Sequence, residues 1–126
     1  MSNPKFRQGP ISKKAASRIE KGRLVRLNAA GEAEHAGADG AVFGAVAAFA
    51  DPDSVLAPDY VAVSYGSNVV DLSVVEGDPG IEAGAAVYAA DNGEAASTGT
   101  VQVGVAEEAS ANGLVSTVLN KCPVAG

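Results

Sequence analysis

The sequence predicts an all-β fold: a small barrel or sandwich built from a duplicated β-meander, with an extended basic N-terminal arm. Three observations predict it. Short apolar or alternating segments recur between Gly, Asn and Asp turns from Gly22 onward. A set of glycines and their neighbours repeats at nearly constant spacing. Eight of the nine basic residues lie in the first 26 positions, where Glu20 is the single acid, giving +7; residues 27–126 carry one base and fourteen acids, giving −13. Such asymmetry marks an arm with a different partner from the body's.

The arm spans residues 1–21, and the β-rich domain 22–126. Pro4, Gly9 and Pro10 keep the start extended. Ser12 is placed to cap a short helix running to Lys21, where Gly22 stops it. Ile11, Ala15 and Ile19 give that helix a thin apolar stripe. A helix this short is marginal alone in water, so the arm is expected to be mobile when free and ordered when bound.

From Gly22 the expected strands follow in order. Arg23–Asn28 sets Leu24, Val25 and Leu27 against Arg23 and Arg26, and a turn over Asn28–Gly31 ends it. Val42–Phe49 reads as a buried run, and Asp51–Asp59, with Pro52 and Pro58, as a loop or wide crossover. Tyr60–Tyr65 alternates, with Val61 and Val63 on one face. Val69–Val75, Ala85–Ala90, Val101–Ala106 and Leu114–Leu119 complete the set.

The repeat joins these segments into two units. Gly22-Arg-Leu-Val25, Gly31-Glu-Ala33 and Val42–Ala47 are echoed by Gly84-Ala-Ala-Val87, Gly93-Glu-Ala95 and Val101–Ala106. The offset is 62 residues in the first two blocks and, from Gly44 to Gly104, 60 in the third, so the second unit has lost two residues in the intervening turn. Each unit reads as strand, Gly turn, short strand, loop, strand.

Composition bounds the rest. The chain has 126 residues, room for one domain. Its apolar content is 47%, but Ala supplies 25 residues and Val 17, against nine Leu and Ile together and no Trp. Small side chains bury little area each, so the core is thin and self-association or docking on a larger surface is expected to complete it. The N-terminus lacks the apolar stretch of a secretion signal, and the longest apolar run, Ala41–Ala50, is about half of what spans a bilayer. No membrane partner is expected.

The residues that carry chemistry are sparse. His35 is the only histidine and reads as a solvated surface residue. Cys122 is the only cysteine, with no partner for a metal site or disulfide and no nearby base. Asp51, Asp53 and Asp59 share a loop without the ligand alternation of a calcium loop, and read as solubilising acids. Gly77-Asp78-Pro79-Gly80 is turn chemistry rather than a phosphate cradle. Neither catalytic residues, a metal nor a cofactor is expected. The signal is the arm. Lys5, Arg7, Lys13, Lys14 and Arg18, interleaved with the apolar anchors Phe6, Ile11 and Ile19, suit a protein surface better than a bare polyanion. A nucleic-acid-binding accessory protein is the alternative, but only Phe6 is placed to stack on a base and the acidic body repels phosphate. A carrier domain of duplicated β type needs a modifiable Lys at a hairpin tip; Lys121 lies near the C-terminus instead.

Ile81–Ala95, then Val103-Gly-Val-Ala-Glu-Glu-Ala109, then Gly113–Leu119, strongly resemble the capsid cement or decoration proteins of tailed-phage heads, and Gly22–Glu32 resembles the matching N-terminal half. The likeness covers about residues 20–120; the long basic extension departs from it. The resemblance implies a β-rich virion protein that binds the exterior of the assembled capsid and reinforces it, commonly as a homotrimer. Its partners would be the major capsid protein and itself. It would be made in the host cytoplasm and reside on the outer capsid surface. Many weak contacts repeated over a shell sum through multivalency, and an arm that orders on binding extends each one.

Overall fold

The computed structural model describes residues 10–66 and 68–125. Among them are ten strands and no α-helix. They are β1 (Ile11–Lys14), β2 (Arg23–Leu27), β3 (Ala33–His35), β4 (Gly44–Val46), β5 (Tyr60–Ser64), β6 (Asn68–Ser73), β7 (Ala86–Ala89), β8 (Ala95–Ala96), β9 (Gln102–Ala106) and β10 (Leu114–Leu119). A single 3₁₀ turn covers Asp91–Gly93. Alternation drives the assignment: β5 reads exposed, buried, exposed, buried, and β6 and β10 repeat the pattern.

Two antiparallel five-stranded sheets result, in orders β1-β5-β4-β2-β3 and β6-β10-β9-β7-β8. Adding five to each strand of the first gives the second. The registers agree as well. Leu27↔Ala33 corresponds to Ala89↔Ala95, Ala45↔Ser64 to Val105↔Val118, and Lys14↔Tyr60 to Ser73↔Leu114. Past its first strand each unit makes a parallel bridge to its last, Ala15↔Ala33 and Val74↔Ala95, so each sheet curls toward closure. Gly44 and Gly104 sit at the same place in the two units. A Cβ there would run into the carbonyl of Ser64 or Val118. The duplication expected from the glycine spacing is therefore present in an all-β fold; within each unit the order departs from a simple meander, because β4 pairs with β2 rather than β3, and β1 with β5.

The repeat is longer than the sequence blocks indicated. The segment expected to form a helix from Ser12 to Lys21 contains β1, paired with β5 through Ile11↔Val63 and Lys13↔Val61. It is the counterpart of β6. Ala15 and Ile19 are buried, and Ile19 exchanges both backbone hydrogen bonds with Ala50, at 2.7 and 3.0 Å. Strand pairing ties this stretch down by long-range backbone bonds, with the Ala15 N–H donating to the Asp59 carbonyl and the Ala16 N–H to the Ala33 carbonyl, both at 2.8 Å, which an isolated short helix cannot match. The folded unit thus begins by Ile11 rather than at Gly22, and within the described residues the expected arm is part of the first sheet.

The core has two parts. Ala15, Ile19, Val25, Ala33, Val46, Ala50, Val61 and Val63 fill the first unit. The second cluster fills the other unit with Leu72, Val87, Val103, Val115 and Leu119, and draws in Leu24, Ala36, Val42 and Ala45 from the first. Adjacent residues Leu24 and Val25 therefore serve different cores from opposite faces of β2. The turn at Gly93 seals the junction. Its N–H donates to the Ala36 carbonyl at 2.6 Å, and with φ of 72° and the Leu24 carbonyl against it only glycine fits.

Candidate interaction surface

The eight arm residues do not form one surface. Lys5, Phe6 and Arg7 lie outside the described residues. Ile11 and Lys13 are half-buried on the inner side of β1; Lys14 points outward beside Tyr60. Arg18 is exposed, donates to Glu20 Oε1 at 2.9 Å, and lies 5.1 Å from the centroid of the Phe49 ring. Ile19 is fully buried, so it is a core residue and not an anchor offered to a partner. What the structure brings together is Lys13 and Lys14 on the outermost strand of the first sheet. Lysine there blunts strand-to-strand aggregation as well as attracting acidic partners.

His35 differs from the solvated residue the sequence suggested. Its Nε2 accepts a hydrogen bond from the Glu20 N–H at 3.1 Å. Burial and the Arg23 charge hold its pKa below the usual 6.5, against Glu20 and Glu94, which pull it up. The ring is a neutral structural acceptor tying the β1–β2 connection to β3. Cys122 is buried in the second core, and burial pushes its thiol up to about 11. It remains a protonated, small apolar group at neutral pH. Asp78 is pushed up by burial, but the backbone N–H groups of Ser97 and Gly80 and the Ser97 hydroxyl, at 2.9 to 3.1 Å, outweigh this and hold it below its usual value. It is a turn-fixing carboxylate. Among the described residues no three His, Cys, Asp or Glu side chains gather in a metal-binding arrangement, and no helix is long and apolar enough to cross a membrane.

Two features stand out whose exposed apolar residues the sequence reading did not single out. The first is the β4–β5 loop. Val46 corresponds to Ala106 and Tyr60 to Leu114, so this loop is six residues longer than its counterpart. The insertion presents Val55 at 100% and Leu56 at 95% exposure. The loop is ordered from within: the Asp53 N–H donates to Asp51 Oδ1 at 3.0 Å, the Leu56 N–H to Ser54 Oγ at 3.2 Å, and the Asp51 N–H to the Pro58 carbonyl at 3.0 Å. Extending the repeat offset past the third block, where it falls from 60 to 54, would have exposed the insertion.

The second is the outer face of the second sheet. Val69, Val118, Val105 and Ala86 are successive cross-strand partners and form one apolar row. The corresponding row of the first sheet includes Ala45 and Leu24, which are buried beneath the second unit. In the second sheet Val69 is 59% exposed and Leu114, on the same face, 44%. This apolar row lies beside the polar pair Asp71↔Ser116 on the same outward face.

The fold defined by these elements is a tandem pair of curled five-stranded antiparallel sheets with two core clusters, one of which draws residues from both units. No protein-family model and no curated protein sequence matches the chain. Among solved structures the chain is similar to the N base of the head fiber gp8.5 of bacteriophage phi29, with a TM-score of 0.66 and 19% identity, over 93% of this chain and 98% of that one. At that identity the likeness establishes the fold.

Proposed function

We propose that the protein is a non-enzymatic structural component of a phage virion that binds the exterior of the assembled head and stabilises it, as a homotrimer seated on the major capsid protein. The observation that carries this reading is the near-complete overlap of its fold with the base of a phage head fiber. The segments resembling decoration proteins, Ile81–Ala95 and Gly113–Leu119, point the same way and lie in β7, β8 and β10 of the second unit. The chemistry of the chain agrees with it: a protonated buried cysteine, a neutral histidine used as a hydrogen-bond acceptor and a turn-fixing aspartate all serve structure. Head contact is assigned to the N-terminal segment with Lys5, Phe6 and Arg7, and to Lys13, Lys14 and Arg18 on the first sheet's margin. Ile11 is half-buried on the same strand as Lys13 and Lys14. Attraction between this basic margin and an acidic capsid surface would mainly raise the association rate.

Mass spectrometry of purified particles, followed by cosedimentation with heads stripped of the protein, tests the reading. Retention on heads that weakens with salt is expected. Absence from particles, or no retention at any salt, overturns it. Retention on naked DNA but not on heads would favour the nucleic-acid alternative.

A further inference from the structure

The chain contains two Asn-Gly pairs, Asn92-Gly93 and Asn112-Gly113. Both asparagines are exposed, and both pairs take positive φ: 59° and 72° in the first, 55° and 76° in the second. Their surroundings differ. The first pair is held on both sides of its peptide group. Arg23 donates to the Asn92 carbonyl at 3.0 Å, and the N–H of the buried Gly93 donates to the Ala36 carbonyl at 2.6 Å. The second pair is the exposed tip of a two-residue hairpin. The Ala111 N–H donates to the Leu114 carbonyl at 2.9 Å, and the Leu114 N–H to the Ala111 carbonyl at 3.0 Å. Positive φ at both tip residues is the mirror-image turn that Asn-Gly suits best. Among the described residues nothing accepts from the Gly113 N–H, and no atom beyond the chain neighbours lies within 4 Å of where a Gly113 Cβ would sit.

We infer that Asn112 is a site of spontaneous covalent modification, in which the Gly113 nitrogen closes onto the Asn112 side-chain amide. The nitrogen attacks Cγ, and the new C–N bond replaces the bond to the side-chain NH2. The proton lost from the Gly113 nitrogen passes to the leaving group, and ammonia departs. Water then opens the five-membered imide. Attack at the side-chain carbonyl gives aspartate; attack at the main-chain carbonyl gives isoaspartate, whose backbone runs through the former side chain. Glycine after the asparagine leaves the approach unobstructed.

The attack needs a local opening of the turn that swings the Gly113 nitrogen toward Cγ. At the hairpin tip, the Ala111–Leu114 pair and the bond from the Val74 N–H to the Gly113 carbonyl, at 2.8 Å, oppose that swing. At Gly93 the same swing breaks the bond to Ala36 and drags a buried glycine away from the Leu24 backbone in the junction between the units. The structure thus separates two identical dipeptides into one reactive and one protected, because opening is cheap at an exposed tip and dear in a packed junction. The product disturbs its surroundings in two ways. Isoaspartate adds a backbone atom to a turn that two residues close, which loosens the start of β10. Either product adds a carboxylate to a cleft that Asn112 shares with Glu76 and Asp78.

The test incubates the full chain in warm, mildly alkaline buffer, folded and in urea, and then cuts it after glutamate. Cleavage after Glu82 and Glu94 releases Asn92 in one peptide, and cleavage after Glu108 releases Asn112 in another. Mass spectrometry reads the amide-to-acid conversion of each. In the folded chain Asn112 is expected to convert at least about tenfold faster than Asn92; in urea the two rates are expected to converge. Asn92 keeping pace with Asn112 in the folded chain would overturn the inference, as would Asn112 staying an amide there while it converts in urea. Asn112→Gly keeps a residue at ease with positive φ and is expected to fold as wild type by circular dichroism. It is expected to abolish the acidic drift of the folded protein on isoelectric focusing; drift at the wild-type rate would overturn the assignment. Hydrogen exchange at the Val74 amide reads the loosening, with lost protection expected in the isoaspartate fraction. Unchanged protection would overturn that consequence. None of these readouts depends on head binding.

Discussion

His35 shows how one residue can look inert in sequence and still matter to stability. The folded protein holds it neutral, with a pKa below 6.5, so the unfolded chain takes up a proton first. Its contribution is fully present above pH 6.5 and is lost as pH falls toward the folded value. The urea midpoint is expected to drop between about pH 7.5 and about pH 5.5, the range in which an ordinary histidine titrates. His35→Gln keeps an acceptor for the Glu20 N–H and is expected to flatten that slope; an unchanged slope would show that His35 does not set it. Asp78 acts in a lower window. Its depressed pKa gives stability that is present above 3.8 and lost below it, so the two effects separate on the pH axis. The same scale holds a packing test. Gly104→Ala drives a methyl group into the Val118 carbonyl and is expected to cost about 1–3 kcal/mol or more. Gly37→Ala, whose new Cβ would meet nothing closer than 3.9 Å, is expected to be nearly neutral by thermal melting.

Strands were legible where alternation was strong. Leu114–Leu119 and Tyr60–Ser64 emerge almost as the sequence predicts, because alternate residues, Val61 and Val63 in one and Val115, Thr117 and Leu119 in the other, are the ones buried. β1 was not legible. Ile-Ser-Lys-Lys has one apolar residue, and its strand conformation comes from pairing with β5 some 50 positions away. Lys13 occupies the place that Leu72 fills in the second unit, and that substitution hid the equivalence of β1 and β6. The short strands β3 and β8 show only as Gly-Glu-Ala blocks because two or three residues carry no period. The placement of β1 separates two truncations. Deleting residues 1–9 is expected to leave the melting temperature nearly unchanged. Deleting 1–21 removes β1 with Ala15 and Ile19, and is expected to unfold the first unit. Circular dichroism melts of the two truncations decide the matter; a folded protein lacking 1–21 would show that β1 is dispensable.

At the scale of the whole molecule, the glycine repeat made the duplication visible but not how the copies join. The junction depends on Leu24 and Ala45, which look like ordinary strand residues and whose counterparts, Ala86 and Val105, remain partly exposed. The candidate surface was legible only as charge, since basic residues stand out by type whereas an exposed Val or Leu is recognised only once its neighbours are placed. Because Leu24 belongs to the core of the other unit, the two halves cannot be independent. Unfolding is expected to be one cooperative transition with coincident probes. Leu24→Ala opens a cavity beneath the second sheet and is expected to cost about 2–5 kcal/mol. Its signature lies in the other repeat. Native-state hydrogen exchange is expected to show lost protection at β10 amides as large as that at β2, although β10 is 90 residues away in sequence. Val63→Ala, inside the first core, is the comparison, because Val63 belongs only to that cluster. If Leu24→Ala weakened β2 alone and left β10 protected, the shared core would not couple the repeats, and each curled sheet would stand as its own folding unit.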